Sequence, residues 1–217
     1  MKKYIVTGAG QGIGHQIGLQ LMKEGHLVVV NDMDPSLLSG PYVKAGDVSS
    51  HQFIKELVAF AQTLPGELAG CVCNAGITTF GSFWDYSPKS MNSLLDLNIQ
   101  GTFFLIQEVA KAIRSSGNSG SIVVTSSVTG HQAHPDLAAY GMTKAALNQL
   151  VQNLVIDLSP VQIRINAVSP GATMTERTEK DANYLKEWSR FNTICKTADV
   201  ADISEAVFLF LKQTKKN

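Results

Sequence analysis

The chain has 217 residues, 44% of them hydrophobic, which is enough for one domain with a substantial core and too short for two comfortable ones. Lysine plus arginine equals aspartate plus glutamate at 18 each, and the only basic block lies at 212–216. This balance argues against a nucleic-acid partner and against a membrane partner. We therefore expect a single domain over residues 1–217.

The sequence lacks strong signals for export, disulfide bonds or metal binding. Its apolar start stops at Thr7-Gly8 without a cleavage pattern, and no run reaches membrane-spanning length, so a cytoplasmic protein is expected. Three cysteines cannot all pair, and we interpret Cys71, Cys73 and Cys195 as buried thiols in a reducing compartment. His131-x-x-His134 has no cysteine or carboxylate companions at ligand spacing, so no metal site is predicted.

The first predicted strand, Lys3 to Thr7, leads into a glycine-rich turn and an amphipathic helix that ends near Gly25. This order is typical of a dinucleotide site, because glycines let the backbone approach a pyrophosphate and the helix N-terminus faces its charge. The spacing is Gly8-x-x-x-Gly12-x-Gly14, and Ile13 stands where the usual fingerprint has its third glycine. The candidate pyrophosphate residues are Gly8, Gln11, Gly12, Ile13 and Gly14.

The second predicted strand, Leu27 to Asn31, is followed by Asp32, eighteen residues beyond Gly14. A carboxylate there can accept both ribose hydroxyls of the adenosine half and would repel a 2′-phosphate. No arginine or lysine stands beside Asp32 or in the glycine turn, so NAD is favoured over NADP. The alternative is that Asp32 only caps the next turn.

Only nine residues separate Asp32 from a third predicted strand, Tyr42 to Ala45, whereas a parallel crossover with a helix needs a dozen or more. The crossover is therefore expected to shrink to a stub of about one turn at Pro35 to Leu38. Gly46-Asp47-Val48 would close the strand. Asp47 then either contacts the cofactor or caps Ser49 to Gln52.

A helix from Ser50 to about Leu64 and a strand from Gly70 to Asn74 are predicted next. Ala75 and Gly76 follow the strand, and such small residues permit close backbone approach to a ligand. The loop after them either lines a substrate mouth or covers the core. Its aromatic residues are Phe80, Phe83, Trp84 and Tyr86.

One long helix is predicted from Pro88 to Ser115, with Asn98 in its middle. Asparagine is unfavourable inside a helix, which suggests a local kink whose freed backbone group binds water. The apolar strand after this helix runs from Gly120 to Ser127 and opens into a loop.

Tyr140 and Lys144 are four residues apart in a predicted helix from Ala138 to Leu158, so both side chains leave one helical face. The Ser127 hydroxyl, the Tyr140 phenol and the Lys144 ammonium together suit proton transfer at an alcohol or carbonyl oxygen. The phenol needs nearby cations to act as a base at neutral pH, and Lys144 and an oxidised nicotinamide would supply them. A packed aromatic beside a solvated amine is the alternative.

A sixth strand is predicted from Arg164 to Ser169, ended by Pro170-Gly171. The stretch from Ala172 to Lys196 is the expected lid over the site, and a helix from Val200 to about Gln213 follows. Strands alternating with helices predict an α/β fold, a doubly wound parallel sheet of about six strands with helices on both faces. The expected apolar face of the last helix is formed by Val200, Ile203, Val207, Phe210 and Leu211.

Assembled in this order and spacing, the motifs resemble those of the short-chain dehydrogenase/reductase family, over roughly residues 3–207. The resemblance implies a Rossmann-type, NAD(P)-dependent enzyme that acts on a small-molecule alcohol or ketone. The matching pieces are Thr7 to Gly14, Asp32, Asp47-Val48, Asn74-Ala75-Gly76, Asn98, Ser127, Tyr140-x-x-x-Lys144 and Pro170-Gly171.

By this resemblance Tyr140 is the general acid/base, Lys144 binds the nicotinamide ribose and lowers the pKa of the tyrosine, and Ser127 orients the substrate oxygen. Asn98 would hold a water of the proton relay. Asn74 and Gly76 would form the adenosine-side wall. Thr173 and Thr175 would contact the nicotinamide amide and the phosphates, although Thr173 replaces the apolar residue common at its position.

Two departures from the family pattern stand out: the short crossover after Asp32, and a sequence that ends soon after Leu211 without the usual last strand and glycine pair. We therefore expect a homodimer, through the helices around Asn98 and after Tyr140, more than a tetramer. The alternatives to an NAD-dependent dehydrogenase are an NADPH-dependent carbonyl (3-oxoacyl-type) reductase and a non-catalytic NAD-binding regulatory protein. Candidate pocket residues of undetermined role are Phe83, His131, His134, Arg177, Trp188 and Arg190.

Overall fold

The computed structural model describes residues 1–181, 184, 188 and 196–212. Within them, five strands form one parallel sheet in the order β2-β1-β3-β4-β5. The order changes direction at β1, and a ligand crevice is expected at such a point, outside the carboxyl ends of the strands. The strands are β1 Lys2–Thr7, β2 Leu27–Asn31, β3 Glu67–Cys73, β4 Gly120–Thr125 and β5 Ile163–Val168.

The helices match the predicted segments closely, because their apolar periodicity and caps are local features of the sequence. The run from Pro88 to Ser115 is continuous, but seven residues around Asn98, Leu95–Gly101, form a π-helical segment. The irregularity predicted at Asn98 is therefore present as a π segment. The helices are α1 Gly12–Lys23, α2 His51–Thr63, α3 Pro88–Leu94, α4 Thr102–Ser115, α5 Ala138–Leu158 and α6 Val200–Leu211.

Helices cover both faces of the sheet, as the doubly wound prediction requires. Ile5 of β1 packs into a cluster with residues of α2, α4 and α5. Its neighbours Tyr4 and Val6 point the other way, into a cluster with residues of α1 and α6. Alternate residues of one strand thus enter two apolar layers, as expected for a parallel sheet buried on both sides.

The predicted third strand at Tyr42 to Ala45 is wrong. Val43 forms only an isolated bridge with Val30, through Val30 N–H to Tyr42 O at 3.0 Å and Lys44 N–H to Val30 O at 3.1 Å. The crossover before it contains a single short 3-10 turn, Pro35–Leu37, as the nine-residue length predicted. Pairing with β2 is limited to this one bridge, so the segment stays partly exposed and the described sheet has five strands, not six.

The last helix packs on a somewhat different face from the predicted one. Val207 and Leu211 are buried as expected, but Ser204 and Phe208 complete the buried stripe, while Val200, Ile203 and Phe210 are only partly covered. Gln213 and the basic residues after it lie outside the described part of the chain, as do Arg190 and Cys195.

Cys71 and Cys73 are buried free thiols whose sulfur atoms lie 3.6 Å apart on one face of β3, as predicted. Among the described residues, no helix is long and apolar enough to cross a membrane.

Candidate active site

The predicted site residues converge at the carboxyl ends of the strands. The glycine turn follows β1, Asp32 follows β2, Asn74 follows β3, Ser127 follows β4 and Pro170 follows β5. Parallel strands place these ends on one edge of the sheet, so residues far apart in the sequence share one cleft.

The glycine turn cannot accommodate side chains at its critical positions. Gly8 and Gly12 have φ angles of 62° and 60°, in the left-handed region. A Cβ atom at Gly14 would lie only 2.1 Å from Gly8 O, because the start of α1 packs directly on the turn. Gln11 is the N-cap of α1 and is exposed, whereas Ile13 packs against the core. The turn thus presents a bare backbone at a helix N-terminus, which fits a phosphate group.

The Gly12 N–H already binds an anionic group of the protein itself. It donates to the Glu176 carboxylate at 2.9 Å, so the turn accepts a negatively charged oxygen in this structure. This observation supports its assignment to a pyrophosphate.

Asn74 fixes the glycine turn to the sheet. Its side-chain amide donates to Thr7 O and to Gly8 O, each at 3.1 Å, and its Oδ1 accepts from Thr125 Oγ1 at 3.3 Å. Thr7 Oγ1 in turn accepts the Asn74 and Ala75 N–H groups, each at 3.2 Å. The amide therefore ties the ends of β1, β3 and β4 together, and a role in the adenosine wall remains a prediction.

Asp32 reaches into the glycine turn. Its Oδ2 accepts from Gly10 N–H at 3.0 Å, and Oδ1 accepts from Asp34 N–H at 3.3 Å. The second bond is the local turn contact of the capping alternative, and the first places the carboxylate beside the predicted cofactor path. Both interpretations of Asp32 therefore have a geometric basis.

Asp47 and Val48 lie beside the cleft with different contacts. The Asp47 carboxylate accepts from Ser49 N–H and from Ser49 Oγ, both at 2.8 Å. These are the contacts of the local capping alternative, in which Asp47 caps Ser49 to Gln52. Val48 is buried, and its carbonyl oxygen would lie 2.5 Å from a Cβ at Gly101, so it packs against the π segment.

The two serines after β4 have different partners. Ser126 Oγ donates to the main-chain oxygen of Lys144 at 3.0 Å and so holds β4 against α5. Ser127 Oγ accepts from Thr129 N–H at 3.2 Å and from Thr129 Oγ1 at 2.9 Å. Both contacts orient Ser127 as an acceptor, and its own hydrogen remains available for a substrate oxygen.

Tyr140 and Lys144 meet on the inner face of α5. Lys144 is 5% exposed, and its Nζ lies 5.6 Å from the centre of the Tyr140 ring and donates to Thr125 O at 2.8 Å. Burial lowers the pKa of Lys144 from 10.5 to about 8. The contact excludes the alternative of a solvated amine, because the cation is enclosed beside the phenol.

Asn98 lies next to Lys144 across the backbone of Gly76. A Cβ at Gly76 would be 3.1 Å from Asn98 Oδ1 and 3.7 Å from Lys144 Nζ. Asn98 Oδ1 accepts from Ile77 N–H at 2.9 Å, and its amide donates to Ile77 O at 3.0 Å and to Thr143 Oγ1 at 3.2 Å. Both amide hydrogens of Asn98 are therefore used for architecture, and the binding of a relay water stays a prediction.

The profile of the short chain dehydrogenase family matches residues 2–185. The chain belongs to this family. Its members are NAD(P)-dependent oxidoreductases that act on CH–OH groups, so the protein is an enzyme of that class.

Individual members of the short-chain dehydrogenase family resemble the chain over most of its length. A glucose 1-dehydrogenase of Gluconobacter oxydans is 32% identical over 186 residues, which are 80% of this chain and 70% of that protein. A short-chain dehydrogenase/reductase from Mycobacterium marinum superposes with a TM-score of 0.91 at 26% identity, over 97% of this chain and 88% of that one. ElxO, solved with NADP bound, superposes with a TM-score of 0.89 at 25% identity, over 99% of this chain and 92% of that one.

The segment after β5 packs against the loop after β4 and against the glycine turn. Pro170 O accepts from Val128 N–H at 3.1 Å, and Gly171 lies beside Val128. Thr173 is buried and donates its hydroxyl to Gly171 O at 3.0 Å, which accounts for a polar residue at that position. Thr175 packs on the glycine turn, with its Cγ2 3.3 Å from where a Cβ of Gly12 would lie, and its contact with the phosphates stays a prediction.

The aromatic side of the cleft involves residues at the predicted lid. His134 stacks on Trp188 with ring centres 4.2 Å apart, whereas His131 Nε2 lies 3.2 Å from Ser169 Oγ and 3.1 Å from Asn148 Nδ2. Arg177 is exposed. The aromatic loop does not cover the core, because Phe80, Phe83 and Trp84 are 64%, 76% and 86% exposed.

Sequence reasoning missed several residues that shape this site. Thr143 holds Asn98, Thr125 O binds Lys144, and Thr129 orients Ser127. The Tyr184 phenol oxygen accepts from Thr173 N–H at 3.2 Å, and the pKa of Tyr184 is raised mainly by burial. Threonines beside a motif carry no periodic signal, and only the position of Thr143 next to Lys144 could have drawn attention to one of them.

Proposed function

We propose that this protein is an NAD-dependent oxidoreductase that interconverts a secondary alcohol and a ketone through Tyr140, Ser127 and Lys144. The observation that carries the proposal is the buried Lys144 ammonium, 5.6 Å from the centre of the Tyr140 ring. The cation and the phenol thus share one enclosed site, in which the phenol oxygen can exchange a proton with a bound alcohol.

In the oxidative direction, the Ser127 hydroxyl donates a hydrogen bond to the oxygen of the bound alcohol and fixes its position. The Tyr140 phenol oxygen accepts the alcohol proton, and the Lys144 cation stabilises the negative charge that this proton transfer involves. A bound nicotinamide would supply the hydride acceptor for the alcohol carbon. In the reductive direction, neutral Tyr140 returns the proton to the carbonyl oxygen.

The first test is NADH absorbance during incubation with NAD and a panel of secondary alcohols, polyols, hydroxy acids and hydroxysteroids. Turnover of at least one alcohol is expected, and Tyr140→Phe should abolish it while calorimetry still shows NAD binding. Tyr42→Phe is the matched control, because that phenol is remote from the proton path. Full turnover by Tyr140→Phe would refute the mechanism, and NAD binding without turnover of any compound would favour a regulatory protein.

The preference for NAD is supported by Asp32, whose carboxylate lies within hydrogen-bond distance of the glycine turn at Gly10. A 2′-phosphate beside this charge is repelled, by about 1 kcal/mol in water and more in a partly buried site. We expect NADH to bind more tightly than NADPH. Asp32→Asn should reduce the ratio of the two affinities about fivefold or more.

The amide introduced by Asp32→Asn would keep an acceptor for Gly10 N–H, so the change removes charge with little loss of structure. Asp34→Asn is the control, since Asp34 caps the exposed turn two residues away. Tighter binding of NADPH by the unaltered protein would instead support the carbonyl reductase alternative.

We further propose that the protein forms a homodimer through α4 and α5. Both helices expose apolar side chains: Phe103 is 38%, Met142 49% and Ile156 78% exposed. Ile156→Glu should convert the dimer to a monomer by light scattering, whereas Leu209→Glu on α6 should not. A monomer for the unaltered chain at working concentration would remove the proposal.

A further inference from the structure

Glu176 lies on the cofactor side of the cleft and binds the glycine turn. Its Oε2 accepts from Gly12 N–H at 2.9 Å, across 164 residues of sequence. Gly12 is the first residue of α1, where the exposed N–H groups and the helix dipole attract negative charge. The carboxylate therefore occupies a position suited to a phosphate oxygen.

The backbone that carries Glu176 is held in place by contacts of its own. Thr175 N–H donates to Thr178 Oγ1 at 2.7 Å, and Thr178 Oγ1 donates to Thr173 O at 3.1 Å. These bonds form a compact turn that does not depend on the carboxylate. The Glu176 side chain is exposed, so it can leave Gly12 by rotating into water without unfolding this turn.

From this geometry we propose that Glu176 is an internal competitor of the cofactor pyrophosphate and sets the affinity for the dinucleotide. The inference rests on the proposed use of NAD. One N–H group cannot bind the carboxylate and a pyrophosphate oxygen at full strength, and the two negative groups repel each other. Bound dinucleotide therefore displaces Glu176. Because the Glu176–Gly12 contact must be broken first, cofactor binding is weaker than it would be without this contact.

The test is calorimetric titration of the full chain with ADP-ribose, which has the pyrophosphate, and with adenosine, which lacks it. Glu176→Gln removes the charge and keeps the size of the side chain. It should bind ADP-ribose about two- to fivefold more tightly than the unaltered chain, the range typical of a surface charge at a helix N-terminus. Its affinity for adenosine should not change.

Glu179→Gln is the matched control, because Glu179 is exposed and lies three residues further along the same turn. It changes the net charge equally and should leave both affinities unaltered. Equal gains in both variants would mean that Glu176 acts only through net charge, and weaker or unchanged ADP-ribose binding by Glu176→Gln would overturn the proposal.

The titration also separates this proposal from the function on which it rests. If the unaltered chain and both variants fail to bind ADP-ribose, the dinucleotide site itself is wrong and both proposals fall. If the unaltered chain binds but Glu176→Gln gains nothing, the dehydrogenase proposal stands and only the competitor role is lost.

Discussion

The side chain of Asn98 pairs with the backbone of Ile77 through two hydrogen bonds, Oδ1 with Ile77 N–H at 2.9 Å and Nδ2 with Ile77 O at 3.0 Å. This pairing fastens the π segment of the long helix to the loop after β3. It places the helix beside Gly76 and Lys144, so one buried amide helps to set the floor of the active site.

Asn98→Ala should lower the free energy of unfolding by about 1–3 kcal/mol, because it removes a buried partner from Ile77 and Thr143. Urea denaturation would measure the change. Asn92→Ala, at an exposed position of α3, should alter stability far less. Equal stability of the two variants would show that the Asn98 contacts contribute little.

The neighbouring serines should respond differently to substitution. Ser127→Ala should reduce kcat by about 100-fold or more, because it removes the donor to the substrate oxygen. Ser126→Ala should lower stability by about 1 kcal/mol, since it breaks the bond to Lys144 O. Steady-state kinetics and urea denaturation of both variants would check this, and a larger kcat loss for Ser126→Ala would reverse the assignment.

Lys144 should make stability depend on pH. Burial lowers its pKa to about 8 in the folded chain, against 10.5 when exposed, so between these values the unfolded chain binds more protons. Stability contributed through Lys144 should therefore rise as pH increases from about 8 to 10.5, by a total on the order of 3 kcal/mol.

Lys144→Met isolates this effect, because other titrating groups are common to both proteins. As pH increases from about 8 to 10.5, the free energy of unfolding of the unaltered chain should rise relative to that of Lys144→Met. A difference that stays flat would show that Lys144 titrates near its ordinary pKa.

Two glycines of α1 offer a matched pair. Gly14→Ala should destabilise the protein and abolish binding of ADP-ribose, because its Cβ would lie 2.1 Å from Gly8 O and 2.5 Å from Asn74 Nδ2. At Gly18 the nearest atom, Val30 Cγ1, would be at an ordinary 3.5 Å. Gly18→Ala should be neutral or stabilise by up to about 1 kcal/mol through helix propensity. Thermal unfolding and calorimetry would compare them.

Local pattern determined most of the architecture in advance. Apolar alternation, glycine turns and caps specify each strand and helix over a few residues, which is why β2 and α5 appear with the predicted bounds. The strand predicted at Tyr42 to Ala45 does not form. Its composition suits a strand, but a strand also needs a partner that pairs along its length, and this pairing is not encoded locally.

The sequence by itself determined the order of the motifs, and hence the family, the glycine turn and the pairing of Tyr140 with Lys144 on one helical face. Only the tertiary structure decided which partners hold Ser126 and Ser127, how deeply Lys144 is buried, and that Glu176 reaches Gly12. These features depend on distances between segments that are remote in the chain, and such distances are set by how the layers pack.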